Sequence, residues 1–420
     1  MMAVSETSNN PVNSVMQGAF DSPSPLKPTI QTFYNLLEHY FGASTQNNNR
    51  EIMRLNEITG KRELFNLKTG EWREWTDVDE SRARTIFQAK YGLYSPTMLD
   101  DAIAIRFDNH RVNPLLNMLN ALVWDGKPRI ESFLHDVMGA DDTPYVRECS
   151  RLIFAGGIHR AYRPGCKFDD MIVLMGKQGC GKSTIVRWLN MDDQYFREIK
   201  TIKGKEGIEA IRGAWISEVE ELLAITNVKD LEAVKAYITT QEDCYRVPYA
   251  KNPITVPRRC CFIGTTNRSQ FLSDKTGNRR FYPVKCNIQR FELFQRQAEI
   301  REYIAQAWAE AVHRFRNDDL QPFPKVELLD DIETAQQSVV EDDWRVGTIE
   351  QYLEQYKGNQ GDTISVIEVW HRAFKQPDDR KPTRKDSIEI TQILDSMTGW
   401  EKQDTPVYTP WGRHKVFRRI

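Results

Sequence analysis

The feature that most constrains this chain is a glycine-rich string, GKQGCGKS, at residues 176–183. It matches the pattern G-x-x-x-x-G-K-[ST] in full, follows the apolar run MIVLM and precedes the helix-like segment STIVRWLN. Glycines let backbone N–H groups turn inward around phosphates, and the N-terminus of the following helix adds partial positive charge. The string therefore predicts a phosphate-binding loop above a parallel α/β sheet.

Individual residues of this string have separate expected roles. Lys182 can reach the β- and γ-phosphates of a nucleotide, while the Ser183 hydroxyl can ligate Mg²⁺. ATP and Mg²⁺ are therefore the expected ligands, and a glycine-rich turn without a ligand is the alternative. The expected nucleotide contacts are Gly176, Lys177, Gln178, Gly179, Cys180, Gly181, Lys182, Ser183 and Thr184.

Carboxylates end a second apolar run, in the string WISEVEEL that begins at Trp215. If this run is a core strand, Glu218 and Glu221 lie at the same sheet edge as the loop. They would orient the metal and the attacking water there, which makes Glu218 a candidate metal ligand beside Ser183. The solvated start of a helix is the alternative interpretation.

An asparagine and two arginines follow. Asn267 ends the run CCFIGTTN, where its amide could hydrogen-bond the water and the γ-phosphate, although Asn is also common in turns after strands. Arg279 and Arg280 follow a Gly-Asn turn and could stabilise the transferring phosphoryl group as an arginine finger. In isolation the two would be interpreted as a surface salt-bridge pair. Their position after three other motifs favours the catalytic role.

A segment between these motifs interleaves basic residues with tyrosines, VKAYITTQEDCYRVPYAKNP at residues 234–253. Such a composition suits a hairpin that contacts a nucleic-acid backbone and stacks on bases. An exposed hairpin without a ligand is the competing interpretation. The candidate DNA-binding residues are Lys235, Arg246, Tyr249 and Lys251.

The overall charge does not by itself indicate a polyanionic partner, because 57 Lys and Arg stand against 59 Asp and Glu, a formal net charge of −2. DNA binding must therefore come from local patches such as residues 380–385 and 413–419. No apolar run approaches the length of a membrane span, and the N-terminus lacks a signal-peptide pattern. We expect a cytoplasmic protein without a membrane partner.

Patterns along the 420 residues predict an α/β P-loop NTPase core flanked by smaller modules. A tail over residues 1–28 is rich in Ser, Asn and Pro, and we expect it to be disordered. A small N-terminal α+β domain is expected over 29–112, and a helical lead-in with the P-loop core over 113–325. A polar linker, 326–344, precedes three helices and a hairpin over 345–420, which fit a winged-helix-like domain.

These strings together resemble the virulence-associated protein E family. The resemblance covers about residues 112–284 and rests on the order WDGKPRI, PGCKFDDMIVLMGKQGCGKST, WISEVEEL, VKAYIT, DCYRVPY, GTTN and LSDKTGNRRFYPV. Members are P-loop ATPases frequent in phages and prophages and similar to superfamily 3 helicases, which form hexameric rings around DNA. The resemblance implies Walker A roles for Lys182 and Ser183, a sensor role for Asn267, and arginines that act on a neighbouring subunit's nucleotide.

The leading hypothesis is an ATP-dependent DNA helicase or translocase of phage or mobile-element replication in the cytoplasm of a bacterial host. It would assemble as a homo-oligomer, a hexameric ring, with a primase or another replication protein as a further candidate partner. The alternative is a nucleotide-gated origin-binding or helicase-loading protein that does not unwind DNA. A kinase or GTPase is a third possibility, but the GTPase signal N-K-x-D is absent, since residues 227–230 read NVKD.

Overall fold

A computed structural model describes residues 26–43, 50–202, 204–220, 228–245, 253–272, 278–340, 344–356 and 363–420. The chain divides into two compact units, Met1–Val339 and Val340–Ile420. Most of the tail expected to be disordered, residues 1–25, lies outside the described part. Within that part, no helix is long and apolar enough to cross a membrane.

The first unit begins with a small α+β region that has its own apolar core, which includes Phe33, Leu37, Phe87 and Phe107. Tight turns at Gly60 and Gly70 join its first three strands into an antiparallel meander, and a short fourth strand pairs parallel with the first. The expected short strands, turns and helices are therefore confirmed. The elements are α1 (Ile30–Phe41), β1 (Met53–Asn56), β2 (Arg62–Asn66), β3 (Glu71–Glu74), α2 (Asp77–Tyr91), α3 (Pro96–Asn109) and β4 (Arg111–Val112).

Three helices lead into the central sheet: α4 (Pro114–Asn120), α5 (Phe133–Met138) and α6 (Pro144–Tyr162). The longest, α6, begins with proline at its first position, where a missing N–H costs nothing, and the Thr143 hydroxyl caps it by accepting from the Val146 amide. Most of α6 is buried, because this helix packs against one face of the central sheet.

Five parallel strands make the central sheet, in the order β11-β5-β10-β7-β6. The apolar runs that we interpreted as neighbouring buried strands form β5, β7 and β10, which confirms the mixed α/β class with a parallel sheet. The sequence patterns did not identify β6 and β11 as members of this sheet. Its strands are β5 (Met171–Met175), β6 (Arg197–Ile199), β7 (Ile216–Val219), β10 (Cys261–Thr266) and β11 (Phe281–Lys285).

The remaining elements of this unit are α7 (Lys182–Leu189), α8 (Gly204–Ala210), α9 (Val228–Thr239), α10 (Arg290–Gln295), α11 (Gln297–Arg316) and α12 (Leu329–Gln337), with the antiparallel pair β8 (Glu242–Tyr245) and β9 (Ile254–Pro257). Helix α12 falls within the stretch that we expected to be a linker. Its Ile332 is buried in the main core, because the polar string around it still presents apolar side chains on one face.

The second unit has a core that includes Ile349, Ile364, Leu394 and Phe417. Three helical segments and a terminal hairpin are present, as the sequence predicts. Its elements are α13 (Trp344–Gln355), β12 (Thr363–Ser365), α14 (Val366–Glu368) with a π-helical turn (Val369–Ala373), α15 (Arg384–Ser396), β13 (Trp400–Lys402), β14 (Val407–Thr409), β15 (Gly412–His414) and β16 (Val416–Arg419). Strands β12, β16 and β13 form an antiparallel sheet.

Candidate nucleotide-binding site

The glycine-rich string connects β5 to α7 at the carboxyl edge of the parallel sheet. Every residue of β5 is buried, so the loop begins at the end of a strand that is held in place by packing. The Gly176 amide donates to the Thr266 carbonyl over 3.2 Å, which fastens the loop to the neighbouring strand β10. Gly181 precedes α7 with a φ of 101°, a left-handed value that side chains rarely permit. The loop therefore opens the N-terminus of an eight-residue helix, where backbone N–H groups are available to an anion.

The segment after β11 lies against this loop. A Cβ atom on Gly176 would lie 2.8 Å from the Cys286 carbonyl oxygen, and one on Gly181 would lie 2.9 Å from Leu293 Cδ2. Real Cβ atoms do not approach so closely. The Cys286 carbonyl belongs to the backbone, so packing requires glycine at position 176, whereas at position 181 the Leu293 side chain could move and the positive φ is the stronger reason for glycine. Local sequence gives no sign of this contact, because it depends on β11 lying beside β5.

Lys182 points back into the loop. Its Nζ donates to the carbonyl oxygens of Gly176, at 2.8 Å, and of Lys177, at 3.1 Å, and the residue is 8% exposed. Two neutral carbonyls, together with the Cys180 sulfur at 3.7 Å, hold this ammonium without cancelling its charge. The cation is therefore free to form a stronger, charge-assisted hydrogen bond to a phosphate bound in the loop.

Glu218 is the buried carboxylate of the site. It lies on β7 at 2% exposure, and its Oε1 accepts from Ser183 Oγ at 2.6 Å and from Thr265 Oγ1 at 2.7 Å. Burial raises the pKa of Glu218, while these two hydrogen bonds act in the opposite direction. Because the Ser183 hydrogen is directed at Glu218, the lone pairs of its oxygen stay available to a cation. The residues present thus fit the expected Mg²⁺, with Ser183 as the ligand nearest the loop.

Further carboxylates lie beside Glu218. Glu198 on β6 is in register with it, and Glu220 follows β7 directly. A hydrogen bond with Glu198 raises the pKa of Glu220, because two carboxyl groups in contact share a proton more readily than both ionise. Sequence reasoning missed Glu198, since β6 is too short to stand out as a strand. Glu221 lies outside the described residues, so its expected role stays a prediction.

Asn267 lies at the same edge as the loop. It follows β10 directly and is exposed, and β10 pairs with β5 on one side and with β7 on the other. Carboxyl ends of parallel strands meet at one edge of a sheet, which is why the sequence order placed this amide near the loop. The structure thus brings Lys182, Ser183, Glu218 and Asn267 to one edge.

Arg279 and Arg280 lie at the opposite edge. They form a short 3-10 turn, Asn278–Arg280, that enters β11, and Phe281 is paired with Met171 at the amino end of β5. Five residues of strand, roughly 15 Å, therefore separate these arginines from the loop of their own chain. Arg280 pairs with Asp169 at 3.6 Å, whereas Arg279 is exposed and pairs with no acid among the described residues.

Lys235 is placed differently from our expectation. It lies on α9 rather than on a hairpin, is 4% exposed, and pairs with Glu232 at 2.8 Å. The expected placement of Lys235 on a hairpin is therefore wrong, while its role in DNA binding stays a prediction. An antiparallel pair, β8 and β9, does follow. Arg246, Tyr249 and Lys251, which come between these two strands in the sequence, lie outside the described residues.

A buried asparagine couples the loop helix to the strand that carries Glu218. Asn190 Nδ2 donates to the carbonyl oxygens of Val186 and Ile216, both at 3.0 Å, and its Oδ1 accepts from the Ile216 amide at 2.9 Å. Trp308 on α11 supports the same helix, with Nε1 donating to the Leu189 carbonyl at 2.8 Å. The two halves of the site are therefore held by direct hydrogen bonds rather than by packing alone.

The family of the chain follows from a match to the virulence-associated protein E-like domain over residues 119–341, more than half of the sequence. The chain belongs to this family. The match is consistent with the phage and prophage origin that the strings implied. It extends past our expected core boundary at residue 325 and takes in α12, in agreement with the burial of Ile332. No curated protein shows significant similarity to this virulence-associated protein E-like chain.

Solved structures are similar to this chain in fold. The apo structure of the NrS-1 C-terminal region (305–718) aligns with a TM-score of 0.52 at 13% identity, covering 94% of this chain and 100% of that one. The A form of the apo NrS-1 C-terminal region aligns with a TM-score of 0.46 at 13% identity, over 88% of this chain and 96% of that one. At this identity the likeness of the first structure concerns the fold alone.

The second unit offers a separate exposed surface. Tyr408 on β14 is 78% exposed and lies directly opposite Arg413, which is also exposed, on β15. The turn between them is anchored because Trp411 stacks on His371 with ring centroids 5.2 Å apart and donates to Asp378.

Proposed function

We propose that this protein is an ATP-dependent DNA helicase or translocase of phage or mobile-element replication that hydrolyses ATP between subunits of a ring. One observation carries the proposal. Lys182, Ser183 and Glu218 meet at one edge of the sheet, whereas Arg279 lies exposed at the other edge. A site so divided can be completed by a second copy of the chain. Membership of the virulence-associated protein E-like family supports the link to phage replication.

The loop residues bind and orient the phosphates. Backbone N–H groups of the loop and of the first turn of α7 would surround them, and Lys182 would supply a compact positive charge. Mg²⁺, when bound, would neutralise charge on the phosphate oxygens. Ser183 and Glu218 would hold it, and the Asn267 amide would orient the attacking water toward the γ-phosphate.

Arg279 is the stronger candidate for the arginine that acts on a neighbouring subunit. A guanidinium stabilises charge on the transferring phosphoryl group only if it can leave its own contacts. Arg280 forms an ion pair with Asp169 at 3.6 Å through a buried Nε that makes no hydrogen bond to the described residues, whereas Arg279 is exposed. We therefore assign the finger to Arg279 and a supporting role in the edge of the sheet to Arg280.

The first test measures ATP turnover with and without single-stranded DNA, together with displacement of one strand from a forked duplex. Lys182→Ala is expected to abolish both, because it removes the charge inside the loop. Lys61→Ala, at an exposed lysine paired with exposed Glu74, serves as the control and should behave like wild type. A rate of ATP turnover that changes neither when DNA is added nor in Lys182→Ala would contradict the proposal. DNA binding that persists in Lys182→Ala, with no unwinding by wild type, would favour an origin-binding or loading protein instead.

The second test asks whether the site is shared between subunits. Lys182→Ala lacks a working loop but keeps its arginine, and Arg279→Ala has the converse defect. Mixing the two inactive variants should restore part of the turnover, because some interfaces combine an intact loop with an intact arginine. Mixtures that remain as inactive as either variant alone would argue against a finger supplied by a neighbour.

A further inference from the structure

One hydrogen bond in the site involves a residue to which no motif assigned a role. Thr265 Oγ1 donates to Glu218 Oε1 over 2.7 Å, and the same oxygen accepts from Ser183 Oγ over 2.6 Å. Two hydroxyls thus converge on one carboxylate oxygen. The other oxygen, Oε2, receives no hydroxyl from the described residues.

The two hydroxyls belong to different parts of the molecule. Ser183 lies in the first turn of α7, directly after the loop. Thr265 lies on β10, between β5 and β7, and is 3% exposed. On β10, Ile263 is in register with Glu218, so Thr265 is two residues closer to the carboxyl edge and on the same face of the sheet. A β-branched side chain in a central strand has little rotational freedom, so its hydroxyl is a fixed point.

We propose that Thr265 is a positioning residue: by holding Oε1 of Glu218 from the rigid sheet, it fixes the orientation of the carboxylate that would hold the cation expected beside Ser183. This inference rests on the proposed function of the site. Thr265 would contact neither nucleotide nor metal, and would act only through Glu218. Outer hydrogen-bond partners of this kind orient a metal-binding carboxylate, and removing one weakens metal binding by about 10- to 100-fold.

Charged groups of both signs lie around Glu218. Lys182 lies on the loop side, while Glu198 faces Glu218 from β6 and Glu220 lies two residues further along the chain. These charges attract or repel the carboxylate without fixing its rotation, whereas the hydrogen bonds from Ser183 and Thr265 to Oε1 are directional. Of the two donors, only Thr265 lies on the sheet.

The experiment compares Thr265→Val, which removes the hydroxyl at nearly constant volume, with Thr265→Ser, which keeps it. Ser217→Ala is the matched control, because the Ser217 hydroxyl is equally buried beside Glu218 and has no hydrogen-bond partner among the described residues. Binding of a fluorescent ATP analogue is measured at equilibrium while Mg²⁺ is titrated, and each variant's Tm is recorded without ligands. Turnover is measured separately.

For Thr265→Val we expect the Mg²⁺ concentration at half-saturation to rise by about tenfold or more, as for the loss of an outer-sphere partner, with recovery in Thr265→Ser. Ser217→Ala should match wild type. An unchanged Mg²⁺ requirement in Thr265→Val, or an equal change in Ser217→Ala, would overturn the inference. If Lys182→Ala abolishes turnover while Thr265→Val is indistinguishable from wild type, only the inference fails. Nucleotide binding that does not depend on Lys182 would refute the proposed function, and the inference with it.

Discussion

The bridge formed by Asn190 leads to a prediction that depends only on the fold. Asn190 is fully buried and makes three hydrogen bonds, two of them to the backbone of Ile216 on β7. Asn190→Ala removes all three and leaves the Ile216 N–H and C=O without these partners. Each buried backbone group that loses its partner costs about 1–3 kcal/mol.

Partial compensation by water that enters the vacated space brings the expected loss to about 3 kcal/mol rather than the upper end of the range. In a unit of this size we expect Tm to fall by about 5 °C or more. Function should suffer beyond stability, because the bridge sets the distance between the loop helix and the strand that carries Glu218.

Thermal unfolding of wild type and variant provides the assay, and hydrogen exchange of the peptide that contains Ile216 localises the effect. Asn109→Ala is the control, because its side-chain bond to the Tyr34 hydroxyl is exposed. The variant should exchange faster at Ile216 than wild type under conditions where both are folded. A loss below about 0.5 kcal/mol, the range of ordinary surface substitutions, would refute the claim that this bridge carries the connection.

Three further predictions follow from single contacts. Gly181→Ala should prevent nucleotide binding in a direct binding assay, because its φ of 101° disfavours a side chain and the new methyl would meet Leu293 at 2.9 Å. Burial raises the pKa of Asp170 to about 7, so the folded chain binds this proton more tightly than the unfolded one. Wild-type Tm should therefore fall as pH rises toward and through about 7, and Asp170→Asn should flatten this dependence. Arg280→Ala should lower Tm more than Arg279→Ala, since only Arg280 is engaged by a described acid; equal Tm values would count against this division of roles.

Local sequence was enough to predict the elements that carry the candidate site. The strands β5, β7 and β10 are short apolar runs bounded by polar residues. This sequence pattern is typical of strands that are buried on both faces of a sheet. Once parallel strands are assumed, Glu218 and Asn267 must reach the edge where the loop lies, because carboxyl ends share one side.

Strand order and register could not be predicted in the same way. The pairing of β11 with β5 places Arg279 far from its own loop, and the register of β10 with β7 brings Thr265 to Glu218. Both depend on pairing between residues that are distant in sequence. The periodicity of a local segment carries no information about such pairing. Lys235 shows that local composition can also mislead. Basic residues beside tyrosines predicted a hairpin, but Lys235 lies on a helix whose buried face includes this residue.

Arg279 is separated from the loop of its own chain by the length of a strand. This separation determines how ATP turnover would depend on protein concentration. On the proposed function, a solitary chain could bind a nucleotide but would lack the charge needed to cleave it. Turnover per chain would then rise with protein concentration and vanish on dilution, whereas each chain would still bind its nucleotide on dilution. A copy without Arg279 would silence only the interface to which it supplies the arginine, because its own loop would still receive the arginine of its other neighbour. Turnover in a mixed population should therefore fall in proportion to the share of the Arg279 variant.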